Sequence, residues 1–206
     1  DNHATDSSAP FYRTSGHISD LAIAILTVSN NVNVISRLTG KEYLISHSTA
    51  ASASNQYYHW DYMNGMNSYT LSSDQSYNHI SFKRAPGFFD MLLYTGDGTN
   101  QHNISHNLKA VPQLMIVKKR NEASYSDWAV YYKSATAGGA NKYLYLNTNS
   151  GETTHSTIPW NNTEPTATQF TVYNSWIVNR SGYKYIAYLF ASLDGISKVS
   201  TYSGTG

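Results

Sequence analysis

The stretch GFFDMLLYTGDG, residues 87–98, returns as GISKVSTYSGTG, residues 195–206, the last twelve positions of the chain. Each copy opens on a glycine and closes on Tyr-x-Gly-x-Gly, and FFDMLLYT (88–95) within the first reads as a strand. The first copy is followed by more than a hundred residues of further strand-like sequence. The second is followed by none, so it reads as the opening strand of a unit with no unit behind it.

The repeat extends backwards from the glycines. At a shift of 108 positions Tyr77 meets Tyr185, Phe82 meets Phe190, Gly87 meets Gly195, Tyr94 meets Tyr202 and Gly96 meets Gly204. At a shift of 100, KEYL (41–44) meets NKYL (141–144) and Trp60 meets Trp160. Further upstream LAI (21–23) lies on LMI (114–116) with a shorter connection. The same landmarks in the same order indicate two related units. The first unit has no clear counterpart of the YTGDG strand; the nearest candidate is FYRTSG (11–16).

Composition points to strands throughout. Tyr occurs 18 times among abundant Ser, Thr and Asn. Aromatic and β-branched residues fit a pleated surface, and Asn, Ser and Gly populate turns. No amphipathic helical window stands out. FFDMLLYT (88–95), PQLMIVKKR (112–120), DWAVYYKS (127–134), NKYLYLNT (141–148), TQFTVYN (168–174) and YKYIAYLFAS (183–192) read as strands at sandwich-like spacing. In the first half LAIAILTVS (21–29), KEYLIS (41–46), SYTLSS (68–73) and NHISFKR (78–84) do so more weakly. YKYIAYLFA is apolar on both faces and reads as a central strand. The expected fold is all-β: two tandem related β-sandwich-like units with a polar N-terminal arm. The boundaries fall at 1–15 for the arm, 16–86 for an incomplete first unit, 87–194 for the second and 195–206 for the terminal strand.

Several function classes lose support. With 14 basic and 13 acidic residues the chain carries no electrostatic footprint for nucleic acid. Its longest apolar run is too short for a membrane-spanning helix. There are no cysteines, hence no disulfide framework, thiolate metal site or Cys nucleophile. His102 and His106 are four apart near Asp97, but Gly and Asn around them indicate a surface loop, where that spacing has no ligand meaning. The acidic residues are scattered and no G-x-S-x-G elbow occurs. The chain reads as non-enzymatic, with no cofactor and no metal. It opens on Asp1 and is expected to be either processed or part of a longer protein.

APGFFDMLLYTGDG, HNLKAVPQLMIVKKR, PWNNTEPTATQFTV and GYKYIAYLFASLDGISKVSTYSGTG together resemble a repeated β domain of unknown function. That domain is found in tailed-phage structural and tail-associated proteins and in related environmental sequences. The matching positions are Tyr94 to Gly98; His106, Leu108, Pro112, Ile116 and Lys118; Trp160 to Thr166; Tyr185 to Phe190; and Gly195 with Lys198. The resemblance covers residues 85–206 well and 16–84 loosely. It implies a virion-surface or extracellular structural role and assigns no catalytic residues.

The expectation is therefore a structural subunit that assembles head to tail with copies of itself into an extracellular or virion-associated fibre. Its terminal strand would complete a neighbour's sheet. The assembly residues are Ile196, Val199 and Tyr202 on the donor. Leu21, Ile23 and Ile25 form the acceptor groove, and Phe11 and Tyr12 of the arm are a second contact. Two other readings compete: the strand folds back on its own chain, or it belongs to the next unit of a longer repeat protein. A different class, a glycan-binding host-recognition module, would use the dense aromatic set Tyr57, Tyr58, Trp60 and Tyr62 against surface glycans.

Overall fold

The computed structural model describes residues 11–14, 17–26, 31–55, 58, 60, 65–68, 77–133 and 137–205. Among the described residues every regular element longer than a turn is a strand, as the aromatic and β-branched composition predicts. The chain divides into two compact units. The first holds residues 1–48 and 52–83, the second 49–51 and 84–206. The division at 83/84 falls three residues before the boundary read from the sequence.

The first unit is built on a five-stranded antiparallel sheet. Its strands are β2 (Leu21–Leu26), β3 (Val32–Ser36), β4 (Glu42–Ile45), β5 (Ala53–Ser54) and β7 (Tyr77–Phe82), in the order β5-β4-β3-β2-β7. Separately, β1 (Phe11–Thr14) pairs with β6 (Gly65–Ser68). One face of the larger sheet buries Ala22, Ala24 and Ile35 with Tyr58 and Trp60, and half-buried Tyr43 packs on them.

The second unit repeats this plan and adds one strand. Its sheet holds β8 (Phe89–Thr95), β10 (Leu114–Lys119), β11 (Ala129–Tyr132), β12 (Lys142–Tyr145), β13 (Thr153–Thr154) and β15 (Lys184–Phe190), in the order β13-β12-β11-β10-β15-β8. Here β9 (His102–Ser105) and β14 (Gln169–Val172) form the separate pair. Residues from both sheets meet in one cluster: Met115, Val117, Tyr131, Tyr185 and Leu189 from the larger sheet, Ile104, Phe170 and Val172 from the pair, and Trp160 from the loop before it. Two antiparallel layers sharing a core make the unit sandwich-like. The strand β15 is buried on both faces, as its sequence predicts. Tyr185, Ala187 and Leu189 enter the core, while Tyr188 on the opposite face stacks on Trp128 at 6.3 Å.

The two units agree register by register. Leu21 opposes Phe82 as Leu114 opposes Phe190. Val34 opposes Leu44 as Val130 opposes Leu144. Tyr43 opposes Ala53 as Tyr143 opposes Thr153. Trp60 and Trp160 are both buried. Among the described residues the strand without a counterpart is β8: the second sheet ends on it, the first on β7.

Three expectations need correction. Residues 1–15 are not an arm throughout, because Phe11–Thr14 forms a strand. That strand pairs with β6 as β9 pairs with β14, so FYRTSG is not the missing copy of β8. Polar sequence hid it: its ladder partner lies more than fifty residues away, where local pattern cannot register it. Nor is the segment around His102 and His106 a surface loop. His102 opens β9, and His106 is buried. The expected strand SYTLSS lies, after Ser68, outside the described residues.

Truncating Trp160, fully buried in the second core, to Ala is expected to cost about 3–5 kcal/mol of unfolding free energy by chemical denaturation. Lys118 supplies a pH test. It is buried, its Nζ donates to Lys119 O at 3.0 Å and to Ser126 Oγ at 2.5 Å, and burial lowers its pKa from 10.5 to about 8. Between those two values the unfolded chain holds a proton the native state has released, so stability rises with pH across that window. Denaturation at pH 7.5 and 9.5 should show this rise, and Lys118→Met should flatten it.

Candidate assembly site

Among the described residues the first sheet ends on β5 at one side and on β7 at the other. Ile80 of β7 opposes Ile23 of β2 and is 51% exposed. Ile25, on the same face of β2, is 39% exposed. An apolar row at the margin of a sheet is uncommon unless something covers it. In the second unit something does. Tyr188 of β15 stands where Ile80 stands in β7 and opposes Met91 of β8. Both of those side chains are buried. Beside them Phe89 packs on Phe190 at 4.8 Å. On the core side Tyr94 of β8 stacks on Tyr185 at 5.1 Å, and its hydroxyl donates to Val178 O at 2.7 Å.

The chain carries a second copy of the turn that leads into β8. At the first site Ala85 N donates to Phe89 O (2.9 Å), and Phe88 N and Phe89 N donate to Ala85 O (3.1 Å each). At the second Leu193 N donates to Ser197 O (3.0 Å), and Ile196 N and Ser197 N donate to Leu193 O (2.9 Å each). Every bond is repeated 108 positions on. Each turn also needs one residue in the left-handed region, and glycine supplies it: Gly87 at φ 79° and Gly195 at φ 76°. After the first turn the chain enters a seven-residue ladder with β15. After the second, residues 198–205 form no strand, and Tyr202 is 94% exposed.

The expected donor residues are thus placed together on one segment. Ile196 is 68% exposed and Val199 half-buried, with Val199 N donating to Ser192 Oγ. The expected acceptor residues are placed differently. Leu21, Ile23 and Ile25 belong to β2, which has β3 on one side and β7 on the other. Both edges of β2 are taken, and Leu21 is buried. The expected groove is therefore not open along β2; Ile23 and Ile25 lie on the face that adjoins β7. For Phe11 and Tyr12 the backbone pairing with β6 is described, the side chains are not.

The expected glycan set does not form a surface. Tyr58 and Trp60 are buried; Asn33 Nδ2 donates to the Tyr58 hydroxyl at 3.0 Å, and the Trp60 indole donates to Gly40 O at 3.0 Å. Tyr57 and Tyr62 lie outside the described residues. An exposed aromatic cluster occurs elsewhere. Trp176 lies 5.9 Å from both Tyr125 and Tyr183, with the Arg180 guanidinium 4.2 Å from its centroid. Trp176, Arg180 and Tyr183 share the loop between β14 and β15, and Tyr125 joins them from the loop between β10 and β11.

The chemistry of the remaining polar groups is internal. His102 Nδ1 lies 2.9 Å from Asn179 Oδ1. Burial lowers the pKa of His106. Burial works against the Asp97 carboxylate, but hydrogen bonds from Thr99 and Asn179 outweigh it and hold its pKa down. Among the described residues no three His, Cys, Asp or Glu side chains converge as metal ligands do. An open cavity of about 410 Å³ is lined by Pro112, Tyr131, Lys133 and Glu164 among others. Glu164 accepts from Tyr131 Oη (2.7 Å), Ala140 N (3.1 Å) and Lys133 Nζ (3.3 Å).

A family model matches residues 20–206, both units together. The chain belongs to the DUF7483 family. Its description is that of a domain of unknown function. No curated protein and no solved structure is significantly similar to the chain. The DUF7483 match runs to the last residue, so it takes in the terminal segment together with the turn that precedes it.

The twin turns give a paired test. Gly87→Ala is expected to destabilise the chain by roughly 1–2 kcal/mol, because an L-residue is strained at positive φ and this turn feeds a ladder. Gly195→Ala should cost less, since its turn is strained alike but no ladder follows it. Denaturation of the two variants side by side makes the comparison.

Proposed function

We propose that this DUF7483 protein is a structural subunit of an extracellular or virion-associated fibre. Copies join head to tail, and the terminal segment of each completes the first sheet of the next. The observation that carries the reading is the single mismatch between two otherwise corresponding sheets. The second sheet is closed by β8, and among the described residues the first stops at β7. A second β8-like sequence, with its turn already formed, stands outside any sheet. Adding a strand to a sheet margin supplies main-chain hydrogen bonds and covers apolar side chains together. The donor and acceptor are different surfaces, so the contact does not close on itself and propagates.

A second reading has its own observation. Exposed Tyr125 and Trp176, with half-buried Tyr183 behind them, present aromatic surface beside Arg180, a combination suited to stacking on glycans at a host surface. The two readings separate by size: the first gives long particles, the second discrete ones that bind glycan through Trp176.

Electron microscopy of the intact chain beside a variant ending at Ser192 tests the assembly reading. Fibres from the intact chain and none from the truncated one are expected. Discrete particles from both would overturn it, and fibres from both would show that another surface joins the copies.

A further inference from the structure

The correspondence between the units also fixes how the donated strand would sit, a step that rests on the assembly reading above. In the second unit β8 and β15 pair antiparallel with Tyr94 opposite Tyr185, Met91 opposite Tyr188 and Phe89 opposite Phe190. Moved by 108 positions, β15 becomes β7 and β8 becomes residues 197–203. We infer that the terminal segment of one copy pairs antiparallel with β7 of the next in a single register, with Val199 opposite Ile80, Tyr202 opposite Tyr77 and Ser197 opposite Phe82.

The side chains agree with this register. Val199 brings an apolar side chain to Ile80, 51% exposed in the isolated chain. Tyr202 takes the place that Tyr94 holds against Tyr185. A slip of one residue would turn Val199 to the other face and set Lys198 or Ser200 against Ile80. The glycines point the same way. A Cβ on Gly96 would collide with the backbone of Arg180, so close packing requires glycine there. Its counterpart Gly204 has nothing within 4 Å of that position. Close packing explains the first glycine in this chain, and the second acquires the same reason only beside a partner.

The register defines a covalent test. Gly96 N donates to Tyr183 O, and Ala191 N donates to Phe88 O, which marks both as hydrogen-bonded pairs of the ladder. Pairs alternate along an antiparallel ladder, so Met91 and Tyr188 form a non-hydrogen-bonded pair, with Cα atoms about 4.5 Å apart. The Ile80–Val199 pair inherits that geometry, which lies within disulfide reach. The chain has no cysteine of its own, so introduced thiols report without background.

The full chain carrying Ile80→Cys with Val199→Cys is oxidised mildly and run without reductant, beside Ile80→Cys with Ser200→Cys and Ile80→Cys with Thr201→Cys. A ladder of covalent multimers is expected from the 80/199 chain, in yield at least about ten times that of the 80/200 chain, whose thiols fall on opposite faces. A ladder from 80/201 instead, or fibres in the microscope with no ladder from any pair, would overturn the register and leave the assembly reading standing. A fast-migrating disulfide monomer would show the segment closing on its own chain and overturn both. Absence of both ladder and fibres would also overturn both. A second measurement leaves the fold untouched. Peptide 193–206 added to the unaltered chain should cap β7 and shorten the fibres, and the same peptide with Val199→Asp should not. Equal shortening by both peptides would overturn the register.

Discussion

A β-sheet margin leaves a row of backbone donors and acceptors and half a hydrophobic face to water. How each sheet of this chain meets that constraint decides the rest. In the second unit β8 meets it, through seven consecutive pairs with β15. The pairing converts β15 from a margin into an interior strand. Only then are Tyr188 and Ile186 on one face and Tyr185, Ala187 and Leu189 on the other all removed from solvent. Without β8, Phe89 and Met91 would vanish from the packing and Tyr94 from its stack on Tyr185. The first unit has the same order of strands and the same registers as far as β7, and there, among the described residues, its sheet ends.

The second half of the chain was readable because its strands are apolar enough for period two to dominate. YKYIAYLFA, apolar on both faces, announced a strand covered on both sides. The repeat was readable because landmarks such as Trp60 and Trp160, or Tyr43 and Tyr143, are large residues whose burial the fold requires at equivalent places. Other features left no local trace. FYRT is too short and polar to be seen as a strand, and its partner Gly65–Ser68 is distant. His102 was hidden in a run of Gly and Asn that resembles a loop until β14 pairs with it.

The aromatic residues show the limit most clearly. Tyr58 and Trp60, dense in sequence, are core. Tyr125 meets Trp176 and Tyr183 from a different loop, beside Arg180 and over the buried Lys119. Sequence density of Tyr and Trp says that contact area is large, not on which side of the wall it lies. That distinction depends on which loop folds over which face.

The turn at residues 193–197 has a consequence for the cost of ordering. Fixing a residue's backbone costs roughly 1–2 kcal/mol of conformational entropy. The five residues of this turn are held by three backbone hydrogen bonds and a left-handed glycine. The segment beyond therefore starts from an anchored, directed base and not from a free end. Any edge that receives it has only the remaining residues to order. In the proposed assembly this would lower the concentration at which copies join.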